Sequence, residues 1–185
     1  MKRLSSFVFF LGVAIAMEAC RDSPAAPTPP KGVTPASITV SSTTFASGAP
    51  IPVDFTCDGK DKSPQLTWSA MPATAKTIAI VVDDPDAPSG TFTHWIAWNL
   101  APDTHALAEG AGAETASGTS GMNDFGRAGW SGPCPPKGKL HHYHFKVFGL
   151  DTSLTLGADA KRGALDTAMS GHMVAQGDLV GTFQH

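Results

Sequence analysis

Charge, cysteine and long apolar runs are all scarce in this sequence, and each shortage removes a class of function. Charged residues make up 16% of the chain, with 13 Lys and Arg against 16 Asp and Glu and a formal net charge of −3. Gripping nucleic acid needs a basic field, so that function is disfavoured and only a local anion site stays open. The three cysteines include no CxxC or other close spacing that would argue for zinc. The one extended apolar run, Phe7 to Met17, is about half the ~20 residues that a membrane-crossing helix needs. A serine-nucleophile elbow, Gly-x-Ser-x-Gly, is missing, and no serine is tied by spacing to His94. No internal repeat is evident.

What is present begins with the layout of a bacterial export signal: Lys2 and Arg3, then the apolar run, then Ala19-Cys20. Cys20 after Ala19 resembles the lipobox of bacterial lipoproteins, in which that cysteine is lipidated and becomes the new N-terminus. Glu18 departs from the small residue usual there, and the alternative is cleavage nearby with release into the periplasm. Residues 21–35 hold five prolines and almost no large apolar side chain, the composition of an extended tether. The expected organisation is therefore residues 1–20 signal peptide and lipobox, 21–35 linker, and 36–185 one folded domain, a length suited to a single good core. With Cys20 in the signal region, Cys57 and Cys134 remain as a pair that an oxidising compartment could bridge, the alternative being two separate buried thiols.

The centre of the domain is Thr77 to Leu100. Ile78 to Val82 is a short unbroken apolar run rich in β-branched residues, which predicts a central strand covered on both faces. Asp84-Pro85-Asp86-Ala87-Pro88 then forms a stiff connection, and its prolines are candidates for a cis bond. From Phe92 the chain resumes as a strand whose alternation puts Phe92, His94, Ile96 and Trp98 on one face and Thr93, Trp95 and Ala97 on the other.

Around this pair the pattern predicts strands at 38–42, 51–56 (at an edge, because of Pro52), 65–69, 140–150 and 178–184. A helix capped by Asp159 should run to about Met173, with Leu165, Ala168, Met169, His172 and Met173 on its apolar stripe. Strands outnumber helices and no helix separates the early strands, so the sheet should be mainly antiparallel. The connection from Ala101 to Gly121 is rich in Gly, Ala, Ser and Thr and aperiodic, and such long loops are usually functional or mobile.

The strand after Leu140 places His141, Tyr143, Phe145 and Val147 on one face and His142, His144, Lys146 and Phe148 on the other. If it neighbours the His94 strand, Asp84, His94, His141 and Tyr143 surround one small polar cavity. A phosphate monoester suits it: imidazolium and phenol donate to its oxygens, while a carboxylate orients a histidine. Asp84 would repel phosphate directly and should face a histidine or the cationic part of a zwitterionic ligand.

DPDAP (Asp84 to Pro88), FTHW (Phe92 to Trp95), GPCPPKGKLHHYHF (Gly132 to Phe145) and AMSGHMVAQGDLVGTF (Ala168 to Phe183) resemble the signature regions of the phosphatidylethanolamine-binding protein family, in its bacterial Raf-kinase-inhibitor-like branch. The resemblance covers roughly Ile38 to the C-terminus. It implies a mainly β fold with a large central antiparallel sheet, a smaller sheet and one or two short helices, with a small anion pocket at one end. It puts Asp84, Asp86, His94, His141 and Tyr143 at the pocket, with Gly132 and Pro133 as its wall. It does not carry kinase inhibition to this chain.

The function expected is that of an exported binding protein for phosphate or a phosphoethanolamine-like head group. No cofactor and no catalytic constellation are expected, and the membrane is met only through a lipid anchor at Cys20. The alternative is a protein-interaction or inhibitor module using the 101–121 loop. A metal-dependent hydrolase built on His141, His142, His144 and the aspartates ranks below both, because alternation turns His142 and His144 away from His141.

Overall fold

The computed structural model describes residues 34–112 and 118–185. The signal segment, Cys20 and the linker up to residue 33 lie outside the described residues, as do residues 113–117 of the long loop. The elements in chain order are β1 (Ala36–Ser37), β2 (Val40–Ser41), a single 3-10 turn (Val53–Phe55), β3 (Leu66–Trp68), β4 (Thr77–Asp84), β5 (Phe92–Leu100), β6 (Ala106–Leu107), β7 (Thr119–Ser120), β8 (His141–Leu150), α1 (Arg162–Met169) and β9 (Met173–Phe183). Six strands form one sheet in the order β1-β9-β8-β4-β5-β7, and β2-β3-β6 form a second, smaller one. The fold is mainly β, as expected. The large sheet is antiparallel except at its edge, where β1 runs parallel to β9.

The apolar run at β4 is central because both faces of it are covered. All eight of its residues are buried. Ile78, Ile80 and Val82 join a core with Trp95, Phe145, Val147 and Leu66. Ala79 and Val81 join the other, with Ile96, Trp98, Leu165 and Met169. Full burial of each such aliphatic side chain stabilises the fold by about 1.5–3 kcal/mol, so the double-sided strand anchors both layers.

Several elements differ from the sequence expectation. No described peptide bond is cis. Residues 51–56 do not form a strand: Ile51 N–H donates to Thr182 O, and the chain then turns at Pro52 into the 3-10 turn, closed by Phe55 N–H to Pro52 O and Thr56 N–H to Val53 O. Proline at 52 supplies no donor with which to continue the ladder. Of the expected first strand, 38–42, only β2 forms, and β1 precedes it in the other sheet. The 101–121 loop carries β6 and β7, so it contributes one strand to each sheet.

The helix is also shorter than its apolar stripe. It starts after Lys161, without a side-chain cap, so Asp159 does not cap it. It stops at Met169 because the chain reverses at Gly171, whose φ of 81° is left-handed and favours glycine there. Leu165 and Met169 fill the second core, but Met173 reaches the same core from β9. His172 pairs with Asp151, Nδ1 to Oδ1, at 2.8 Å.

Candidate functional site

The doublet Asp83-Asp84 at the end of β4 divides between the two faces of the sheet, as period two requires. Asp83 is buried on the α1 side. It accepts from Lys146 Nζ at 2.8 Å and from Arg162 Nη1 at 2.6 Å, while Arg162 Nε also donates to Asp166 at 2.7 Å. Burial raises the pKa of Asp166 against the pull of Arg162. A cavity of about 430 Å³ opens beside this network, lined in part by Lys146, Phe148, Arg162 and Asp178. Its two cations are already committed to carboxylates, which makes it a poor anion receptor.

Asp84 takes the opposite face. Its Oδ2 accepts from His141 Nδ1 at 2.7 Å, with 4% and 1% of the two side chains exposed. Its Oδ1 accepts the backbone N–H of Asp86 at 2.9 Å. The carboxylate therefore faces a histidine and fixes its tautomer, leaving Nε2 for other partners. That Nε2 atom is buried and has no hydrogen-bond partner among the described residues.

His94 joins this group because of a β-bulge. Val82 pairs with Trp95 and Asp83 with Thr93, so two steps along β5 correspond to one along β4 and His94 has no residue opposite. Strict alternation would have left His94 on the side of Ile96 and Trp98. The bulge turns it to the side of Tyr143, with ring centroids 5.2 Å apart and the planes at 81°. His94 Nδ1 donates to Ser131 O at 2.8 Å. Burial lowers its pKa, only partly opposed by the Ser131 carbonyl and the Asp84 charge. The phenol of Tyr143 is fully buried and its oxygen has no hydrogen-bond partner among the described residues. Burial first, and then the Asp84 charge, push its pKa well above that of a free phenol, so it stays protonated and is a donor.

Of the residues expected at the site, Asp84, His94, His141 and Tyr143 come together. Asp86 does not aim at them. Its Oδ2 accepts from both the backbone N–H and Nδ1 of His142, at 2.9 and 2.7 Å, and the His142 hydrogen bond lowers its pKa. Gly132 and Pro133 are buried in the loop that supplies the Ser131 carbonyl to His94. A Cβ on Gly132 would lie 2.6 Å from Phe55 O and 2.8 Å from Asp61 Oδ1, so only glycine lets that loop pass. Cys57 and Cys134 lie next to it with sulfurs 2.12 Å apart, a disulfide distance. Both are exposed, which excludes the alternative of separate buried thiols.

Sequence reasoning marked 129–138 as a fixed irregular backbone suited to a pocket but gave no role to Asn123, which organises the wall. Asn123 is buried; its Nδ2 donates to His94 O, Gly129 O and Ser131 Oγ, and its Oδ1 accepts from Phe125 and Arg127 N–H. Phe125 and Phe92 pack edge to face at 4.8 Å, and each lies within 5.5 Å of the His94 ring. The Asn-Asp-x-Gly pattern was the available signal, since such residues hydrogen-bond their own backbone in tight turns. The hydrolase alternative needs His142 and His144 beside His141. Instead His142 pairs with Asp86, and His144 with Asp178 at 2.7 Å.

The phosphatidylethanolamine-binding protein family model matches residues 41–184. The chain belongs to that family. A UPF0098 protein of Pyrococcus horikoshii is 46% identical over 149 residues, which are 77% of this chain and 75% of that one. A Mycobacterium tuberculosis protein bearing the name "Putative lipoprotein LppC" is 44% identical over 148 residues, 80% of this chain and 72% of its own length. Among solved structures, Escherichia coli YbcL, titled a new member of the mammalian PEBP family, superposes with a TM-score of 0.76 at 30% identity, covering 80% of this chain and 98% of that one.

Proposed function

We propose that this family member is an exported binding protein whose Asp84–His141–Tyr143–His94 cluster receives phosphate or the phosphorylated head group of a phosphoethanolamine-like molecule. The observation that carries the reading is the pair of buried polar atoms, His141 Nε2 and Tyr143 Oη, that have no hydrogen-bond partner among the described residues. Leaving buried polar atoms unmatched costs about 1–3 kcal/mol each; a phosphoryl oxygen matches Tyr143 Oη as it stands, and His141 Nε2 when that nitrogen carries a proton. Family membership supports the ligand class.

The mechanism is one of binding. Tyr143 donates its phenolic proton to one ligand oxygen. His141, held by Asp84, donates from Nε2 to another once it is an imidazolium, and the Asp84 charge balances it. His94 gains a proton more readily beside the anion than in the free pocket, because the ligand's charge offsets the burial that disfavours imidazolium. Phe92 and Phe125 frame the group with apolar surface.

Export and lipidation at Cys20 belong to the same proposal, supported by the signal-like N-terminus and the lipoprotein name of the mycobacterial relative. The test of binding is a calorimetric and NMR titration of the purified protein with phosphate and with phosphoethanolamine. Saturable binding that shifts the His94 and His141 signals and is lost in His94→Ala and His141→Ala, with the fold intact, is the expected result. Unchanged binding in both variants would refute the assignment. Membrane fractionation of wild type and Cys20→Ala tests the anchor.

A further inference from the structure

A second group of ligating side chains lies outside the proposed anion pocket. Among the described residues, Cys57, Cys134 and His185 form the group of three whose ligand atoms all lie within 4.8 Å of one another. His185 Nε2 is 3.8 Å from Cys57 Sγ and 4.0 Å from Cys134 Sγ. On the other side of the ring, His185 Nδ1 meets Asp58 Oδ2 at 2.8 Å. A carboxylate only accepts, so Nδ1 carries a proton, and in the neutral tautomer the Nε2 lone pair faces the two sulfurs. Disulfide sulfurs have no proton to offer that lone pair. The ring is further held against Phe183, with centroids 5.8 Å apart.

A carboxylate on one imidazole nitrogen, with the other aimed at two sulfurs, is the arrangement that outer-sphere groups give a metal-binding histidine. We propose that reduction of the Cys57–Cys134 bond opens a binding site for a thiophilic cation, zinc(II) or copper(I), with both Sγ atoms and His185 Nε2 as ligands and Asp58 orienting the ring. Two thiolates and an imidazole suit these ions by softness. Zinc–sulfur bonds of about 2.3 Å and zinc–nitrogen bonds of about 2.0–2.1 Å, at tetrahedral angles, place S and N about 3.6 Å apart and the two sulfurs about 3.8 Å apart. His185 is already within a few tenths of an ångström of that spacing. The sulfurs must separate further, from 2.12 Å, while their Cα atoms stand 5.4 Å apart.

The backbone beneath the two cysteines does not depend on their covalent bond alone. Cys57 N–H donates to Pro133 O at 3.1 Å, and Gly132 N–H donates to Asp61 Oδ1 at 2.6 Å. The chemistry is balanced with a phosphine reductant. Phosphine and water reduce the S–S bond to two thiols, and the phosphine leaves as its oxide. Metal binding then releases the two thiol protons, and the exposed cysteines leave the fourth position to water.

The experiment uses the full chain with Cys20→Ser, so that Cys57 and Cys134 are its remaining cysteines. The protein is reduced anaerobically with a phosphine and titrated with Co²⁺, a spectroscopic stand-in for zinc. One equivalent should produce thiolate-to-cobalt charge-transfer absorption that zinc abolishes, and the oxidised protein should produce none. His185→Ala should weaken binding at least tenfold, and Asp58→Asn about 10–100-fold, the usual effect of losing an outer-sphere partner. Absent charge-transfer bands in the reduced protein, equal binding by the oxidised form, or unchanged affinity in His185→Ala would overturn the proposal. Loss of the folded circular dichroism spectrum on reduction would overturn it equally, because the site requires both loops and β9 in place.

Discussion

Replacing the chain's one tyrosine, Tyr143→Phe, separates a binding role from a packing role, because the two predict changes of opposite sign. The ring is fully buried and its oxygen has no hydrogen-bond partner among the described residues, so the substitution leaves the packed ring where it is and removes only the hydroxyl. In the ligand-free protein an unmatched buried polar group costs about 1–3 kcal/mol, and some of this is recovered when it is deleted. A gain of about 1 kcal/mol corresponds to a rise in Tm of roughly 2–4 °C for a domain of this size. In the complex the same hydroxyl gives a hydrogen bond to an anion, worth about 1.5–3 kcal/mol, which is roughly 10–100-fold in Kd. The assay pairs thermal unfolding with calorimetric phosphate titration. A variant that is as stable as wild type or more so, and binds phosphate at least tenfold more weakly, is the expected result. A variant that loses more than about 1 kcal/mol of stability and binds phosphate normally would show that the hydroxyl serves the fold, and the reasoning would be refuted.

Three further outcomes follow from the same geometry. Burial depresses the His94 pKa below its ordinary 6.5, so the unfolded chain binds the proton more tightly. Stability should therefore be at its full value above about pH 6.5 and fall as pH drops through the depressed folded value. Under the proposed function bound phosphate should raise that pKa, so binding should take up a proton below neutrality and blunt the acid-side loss, measurable by calorimetry in two buffers of different ionisation enthalpy; no uptake in wild type would be the contrary result. Asp83→Asn removes a buried charge from Lys146 and Arg162 and should destabilise by about 3–5 kcal/mol in urea unfolding, with phosphate affinity nearly unchanged, since the site lies on the other face. Gly132→Ala forces a Cβ against backbone at Phe55 O; it should destabilise by about 1–3 kcal/mol and weaken phosphate binding by displacing the loop on which His94 leans, and a variant equal to wild type in both would contradict the close approach.

Much of the architecture was legible along the chain because it depends on local pattern. The unbroken run at 78–82 marked a strand buried on both faces, since no amphipathic element could bear so many adjacent apolar side chains. The alternation at 141–150 separated His141 and Tyr143 from His142 and His144, and the structure keeps that division. The donor residues of the proposed pocket, His94, His141 and Tyr143, and Asp84 as the carboxylate that orients a histidine, could be singled out from chemistry and from family resemblance. Residues 51–56 and the end of α1 were less legible, because an apolar pattern records burial and not the backbone path. Ile51 and Met173 are buried in either conformation.

By itself the sequence determined which segments must be inside and which side chains carry hydrogen-bond donors of the kind an anion needs, because hydrophobic period and side-chain chemistry are local properties. Only the tertiary structure decided how those groups meet. The β5 bulge, visible as a mismatch between two strands and never in one of them, turns His94 away from Ile96 and Trp98 toward Tyr143. The division of Asp83 and Asp84 between two faces assigns one carboxylate to Lys146 and Arg162 and the other to His141. The pairing of Cys57 with Cys134, and the meeting of both with His185, joins residues at least 51 positions apart. Contacts of that range are settled by the packing of the whole domain, because no short segment contains both partners.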